Sequence, residues 1–158
     1  MTDAATDRST HDARASANDD AGVASVASRT LRDYMHLDRA SNLLGIVVEQ
    51  AEPGYAVASM RVREDMTNGF DITHGGLVFT LADTAFALAC NEDERITVAA
   101  GADIAFLKST VAGQTLTATA VRRALSGRNG LYDVSVVDET GDQVAEFRGR
   151  SITTNRSL

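Results

Sequence analysis

Asp83 is the one ionisable side chain in an otherwise apolar run, Leu77-Val-Phe-Thr-Leu-Ala-Asp83-Thr-Ala-Phe-Ala-Leu-Ala-Cys90. A carboxylate withdrawn from water is costly unless it is paired or put to use. In use it acts as a general base or a nucleophile; as a structural group it bonds nearby backbone. Eight residues earlier stand Gly75 and Gly76, preceded by His74. Glycines opening a helix leave backbone N–H groups unhindered at the positive end of the helix dipole. Such groups bind an anion, or the oxygen of a carbonyl under attack; otherwise they only permit a tight loop. Asn68 can both donate and accept, and so can orient a water or a carbonyl; the plainer role is turn chemistry before Gly69. His74 is a candidate base, but the positive helix end beside it disfavours the imidazolium. That leaves it a loop-fixing, substrate-orienting or purely structural part. No serine stands in a nucleophile-elbow setting. The histidines, at 11, 36 and 74, are scattered, so no metal site is expected.

Spacing limits how these residues can cooperate. At ~1.5 Å of rise per residue, Gly75 and Asp83 are roughly 12 Å apart along one helix. A base and an oxyanion donor must each come within about 3 Å of one reacting group. One helix cannot supply both, whereas two antiparallel copies can. If both residues are catalytic, the site straddles a two-fold interface, with two sites per dimer.

The elements that must hold this stretch can be read from pattern. The run from 75 to 90 is apolar almost all round and predicts a buried helix. Before it, Leu31, Tyr34, Met35 and Leu37 recur on a helical period and predict a short helix over 29–42, with Ser28 or Thr30 as cap. Ile46–Gln50 and Tyr55–Arg63 predict strands about a Glu52-Pro53-Gly54 turn. After the helix, four strand-like runs cover about 95–107, 114–124, 131–138 and 143–153. Breaks at Val111–Gly113, Ser126–Gly130 and Glu139–Asp142 separate them. The expectation is an α+β domain over 29–158: an antiparallel meander of about six strands wrapped around one long helix. Residues 1–28 are small, polar and acidic and predict a disordered tail. A net charge of −7 gives no basic footprint for nucleic acid. Cys90 is alone, which excludes a disulfide framework and a thiolate metal cluster. The chain holds no apolar run long enough to span a membrane and no signal peptide, so no membrane role and a cytoplasmic location are expected.

A second polar feature is the Arg122-Arg123 pair with the following Leu125-Ser126-Gly127-Arg128-Asn129-Gly130. Arginines beside a glycine-bearing turn suit phosphate groups; the alternative is an ordinary solvated hairpin. Phe79, Phe86 and Phe106 are candidates for the wall of an apolar ligand site or for plain core.

Taken together, Asn68, His74-Gly75-Gly76 and Leu81-Ala82-Asp83-Thr84-Ala85 resemble the hotdog-fold thioesterases of the phenylacetyl-CoA-degradation (PaaI-like) subfamily. So do Asp103–Lys108, Gly113–Thr119, Leu131–Val136 and Val144–Gly149. The resemblance covers about residues 30–153. It implies a hotdog fold, paired about a two-fold axis and assembled further into tetramers, that hydrolyses acyl-CoA thioesters with no cofactor beyond the substrate's own CoA. It implies that Asp83 is the catalytic carboxylate, that Gly75 N–H polarises the thioester carbonyl, and that Asn68 helps place the water or the carbonyl. It also implies that Ser126 to Gly130, with Arg123, meet the CoA nucleotide. Some relatives place a Ser or Thr hydroxyl near the site from the strand after the helix. Here that region reads Val98-Ala-Ala-Gly-Ala102, which leaves Thr97 or Thr84 to supply it. Two rivals remain open: hydratase/dehydratase chemistry on acyl thioesters, and a non-catalytic acyl-CoA sensor.

Overall fold

The computed structural model describes residues 35–91 and 93–157. The expected tail over 1–28 and residues 29–34 of the expected first helix lie outside them. The described chain opens with a short helix α1 (Arg39–Leu44), strands β1 (Val47–Glu52) and β2 (Tyr55–Arg61), and a 3-10 turn (Glu64–Met66). Then come the long helix α2 (Gly75–Cys90) and strands β3 (Arg95–Phe106), β4 (Thr115–Ser126), β5 (Asn129–Val137) and β6 (Gln143–Ser157). Of the helix expected over 29–42, Met35 is helical, residues 36–38 interrupt it, and α1 follows. Asp38 caps it, accepting from the N–H groups of Ala40 and Ser41, and Gly45 at φ +69° ends it. Leu37 lies outside the helix and is exposed.

The six strands form one antiparallel sheet in the order β1-β2-β4-β5-β6-β3. A plain meander would set β3 between β2 and β4. Instead β2 pairs with β4, and β3 crosses to the far edge beside β6. The 16-residue helix between β2 and β3 makes this possible, since a chain that crosses a sheet need not return beside the strand it left.

Helix α2 lies on one face of the sheet and buries Val78, Leu81, Ala82, Ala85, Phe86, Leu88 and Ala89. Beneath it, the cross-strand pairs Ala56↔Ala120 and Ala58↔Ala118 are small, which lets helix and sheet approach closely. Toward β5 and β6 the side chains grow. Phe86 meets Tyr132 at 5.4 Å and Phe147 at 5.8 Å between ring centroids, and Phe79 meets Phe147 edge-on at 5.3 Å. Each fully buried large side chain contributes about 1.5–3 kcal/mol. A Cβ on Gly149 would sit 2.8 Å from the Phe86 ring, so any larger residue there breaks this cluster.

The helix is less enclosed than its composition suggests. Gly76 and Ala87 are exposed, and Thr80 and Asp83 are half-buried. At positions i, i+4, i+7 and i+11 these four form one open stripe of small and polar residues.

Candidate functional site

The segment before α2 is a compact loop. Asn68 N–H donates to Ile72 O and Asp71 N–H to Asn68 O, while Phe70 N–H donates to Asn68 Oδ1 at 2.9 Å. Asn68 therefore does the turn chemistry expected of an Asx residue. Its amide nitrogen has no partner among the described residues. Asp71 takes φ +57°, a left-handed conformation that Asp tolerates. Thr73 fastens the loop to the β3–β4 connection: its N–H donates to Thr110 O, and its hydroxyl lies 2.7 Å from that of Thr110.

His74 is the N-cap of α2. Its Nδ1 accepts from Gly76 N–H at 3.0 Å, so that nitrogen carries no proton in this arrangement. Gly76 N–H is thereby spent on the cap. Gly75 N–H meets no acceptor among the described residues, at the end where the dipole is positive. The ring of Phe106, from the end of β3, presses on Gly75: a Cβ there would lie 3.2 Å from Phe106 Cζ.

Asp83 sits two turns on, in the open stripe. Among the described residues its carboxylate joins no hydrogen bond or ion pair. Desolvation raises its pKa above the ordinary 3.8. It opens on a cleft of about 230 Å³ between α2 and β3, lined also by Phe86, Cys90, Asn91, Thr97 and Val98. Asn91, the residue directly after the apolar helix run, sets this cleft. Its amide donates to Ala87 O (2.8 Å) and Thr97 O (3.1 Å) and its Oδ1 accepts from Thr97 N–H (2.9 Å), stapling the helix end to β3. An Asn directly after an apolar helix run was the available signal. Of the two candidate hydroxyls, Thr97 lines the cleft, bonded to Thr153 Oγ1 at 2.9 Å. Thr84 is engaged elsewhere, with Thr80 O and Ser41 Oγ.

Ser126, Gly127, Arg128 and Asn129 form a tight hairpin, with Ser126 paired to Asn129 and Gly127 at φ +58°. Its tip is exposed. Leu125 and Gly127 share a small hollow with Cys90 and Thr97, so the hairpin adjoins the Cys90 end of the helix, not the Gly75 end. Gly130 stands apart from the tip, buried where a Cβ would lie 2.5 Å from Ser151 Oγ. Arg123 pairs with Asp133 at 2.8 Å, and Asp133 also holds Arg148. Phe86 belongs to the core, Phe79 packs edge-on against Phe147, and Phe106 is exposed. No group of three or more His, Cys, Asp or Glu among the described residues is arranged to hold a metal ion. No helix among them is long and apolar enough to cross a membrane.

The same architecture and stretches recur in known proteins. Residues 70–145 match the family model of the Thioesterase superfamily. The chain is 44% identical over 114 residues to the acyl-coenzyme A thioesterase PaaI of Escherichia coli, an alignment covering 72% of this chain and 81% of that protein. The chain belongs to the PaaI-like branch of the thioesterase superfamily. The solved E. coli PaaI structure superposes with a TM-score of 0.80 at 39% identity, over 84% of this chain and 97% of that one. The TT0310 protein of Thermus thermophilus superposes at 0.68 with 37% identity, over 72% and 96%. The sheet wrapped on one long helix is thus the hotdog fold of this thioesterase family.

Proposed function

We propose that this PaaI-like thioesterase performs its chemistry with Gly75 of one copy and Asp83 of another. The chain is an acyl-CoA thioesterase, releasing free acid and CoA. The observation that carries the site assignment is the presence on one helix of an unspent N–H at Gly75 and an unpartnered, half-buried carboxylate at Asp83 in the open stripe. Both groups are held ready and neither is used within the described residues.

The two are about 12 Å apart along α2, too far to serve one carbonyl. A second, antiparallel copy of the helix brings its Asp83 beside this Gly75. The open stripe Gly76, Thr80, Asp83, Ala87 is small enough for such an approach. The edge strand β3, with Val98, Ala99 and Ala100 exposed, offers backbone for pairing with its twin. The assembly is a dimer with two sites, and its further association into a tetramer is read by sedimentation.

In this site Gly75 N–H donates to the thioester oxygen and stabilises the charge that develops on it. Asp83 from the other copy activates water or attacks the carbonyl carbon; both routes need the ionised carboxylate. The Asn68 amide orients water or the carbonyl, and His74 fixes the loop. Ser126 to Asn129, with Arg128 at the tip, meet the CoA phosphates, and Arg123 and Gly130 support that hairpin. CoA enters as part of the substrate, and the chemistry calls for no other cofactor and no metal. A cytoplasmic setting suits an acyl-CoA substrate. The cap bond on His74 Nδ1 weighs against a hydratase, which would want that imidazole as a free acid–base.

The test is release of free thiol from aryl and aliphatic acyl-CoA by the wild-type chain and by Asp83→Asn. Release by the wild type alone is the expected outcome. Equal release by both would remove Asp83 from the chemistry.

A further inference from the structure

The five phenylalanines divide into two groups. Phe79, Phe86 and Phe147 form the aromatic cluster with Tyr132. Phe70 and Phe106 remain 83% and 55% exposed, and both belong to segments at the Gly75 end of α2. Phe106 is the last residue of β3 and shares a strand face with Ala102 and Ile104, which pack partly against the core. Its ring continues that row past the core onto Gly75. Gly75 has no positive φ. Glycine is wanted there because a Cβ would crowd the ring at 3.2 and 3.4 Å. One part of the ring is thus held against the polarising end of the helix while much of it stays open.

We propose that Phe106 determines which acyl groups this enzyme prefers: the open part of its ring is the wall against which the acyl group lies. The inference rests on the thioesterase reading with Gly75 as donor. A thioester oxygen about 3 Å from Gly75 N leaves two arms on the carbonyl carbon, the sulfur arm and the acyl arm. The sulfur arm is common to every substrate and runs toward the CoA hairpin. In the other copy, which supplies the carboxylate, that hairpin lies at the Cys90 end of the helix, past Asp83. The acyl arm is therefore left on the side of the chain that supplies Gly75, where Phe106 stands. An aromatic wall favours a flat or extended apolar acyl group over acetyl, through contact area and ring–ring geometry.

The experiment measures kcat and KM for acetyl-, hexanoyl- and phenylacetyl-CoA with wild type, Phe106→Leu and Phe106→Ala, each checked by sedimentation. Phe106→Ala is expected to lower kcat/KM about tenfold for the two larger acyl groups, mainly through KM, and less than about twofold for acetyl-CoA. Phe106→Leu is expected to recover hexanoyl-CoA while leaving phenylacetyl-CoA impaired. Leucine keeps an apolar side chain over Gly75, so this variant decides the question if the alanine variant does not fold. An equal change for all three substrates, with or without altered sedimentation, overturns the proposal and assigns the ring to the sulfur arm or to the subunit interface. No change for any substrate also overturns it and leaves the thioesterase reading intact. A wild type inert toward all three would take both down together.

Discussion

Asp83 and Asp138 are both aspartates withdrawn from water, one in the helix and one in the turn between β5 and β6. Asp138 is fully enclosed and fully engaged. Its carboxylate accepts from Lys108 Nζ (2.6 Å), Thr140 Oγ1 (2.6 Å), Thr140 N–H (2.9 Å) and Asp142 N–H (3.1 Å). The Lys108 hydrogen bond, followed by that of Thr140, holds its carboxyl well below the usual carboxylate range. Lys108, the chain's only lysine, also reaches Asp142 at 2.7 Å and so ties the β3–β4 connection to this turn. Asp83 has none of this, and burial alone pushes its carboxyl upward. The difference separates an acid that organises a corner of the fold from one kept available for a ligand.

Replacing each aspartate sharpens the contrast. Asp83→Asn is expected to cut thiol release by about 10²–10⁴-fold. The same change should leave the thermal midpoint at neutral pH unchanged or raised. The folded pKa of Asp83 lies above the unfolded one, so folding favours the protonated form. The ionised group therefore costs stability, increasingly as pH rises from the unfolded value through the folded one. Because turnover needs the anion, the acid limb of kcat/KM should also lie above the ordinary carboxylate value. A limb at that value or below would break the assignment.

Gly75→Pro comes next. Proline is tolerated at the first helical position but has no N–H to donate. Activity should fall about 10²–10³-fold. Gly75→Ala is the steric control: it displaces the Phe106 ring by tenths of an ångström yet keeps the donor, and should retain far more turnover. Equal losses in the two variants would mean that the ring's position matters, not the N–H.

Asp138→Asn is expected to behave in the opposite sense to Asp83→Asn, with the thermal midpoint lower by several degrees and kcat nearly unchanged. Its folded pKa lies below the unfolded one, so its contribution is present above the unfolded value and is lost as pH falls through the folded one. A large loss of kcat without loss of stability would overturn its structural role. The smallest expected effect is that of His74→Ala. Loss of a cap costs about 1 kcal/mol, read as a modest fall in thermal midpoint with most activity kept. A fall in kcat like that of Asp83→Asn would instead make the imidazole a participant in the chemistry.

Much of this was legible along the chain, because local pattern carries it. The helix is expected at 75–90 and found at Gly75–Cys90, since an apolar run opened by His-Gly-Gly and closed by Asn has few other conformations open to it. The strand runs are likewise found within a few residues of their expected ends, and the 52–54 turn places Gly54 at φ +80°. Less legible was α1, whose cap Asp38 looked ordinary among the polar residues around it. The split among Phe79, Phe86 and Phe106 was equally hidden, because a phenylalanine reads alike in a core and at a mouth.

Local pattern is enough to single out the groups able to do chemistry and to put Asp83 and Gly75 on one helix, too far apart to act together. Helix rise is a local quantity, and so is the preference of each segment for helix or strand. The tertiary structure alone sets β3 at the sheet edge and clamps Lys108 between Asp138 and Asp142. Only there, too, does Phe106 come to rest on Gly75. Those outcomes depend on strand pairings and packing between residues 30 or more positions apart, a free-energy balance over the whole core that no local pattern records.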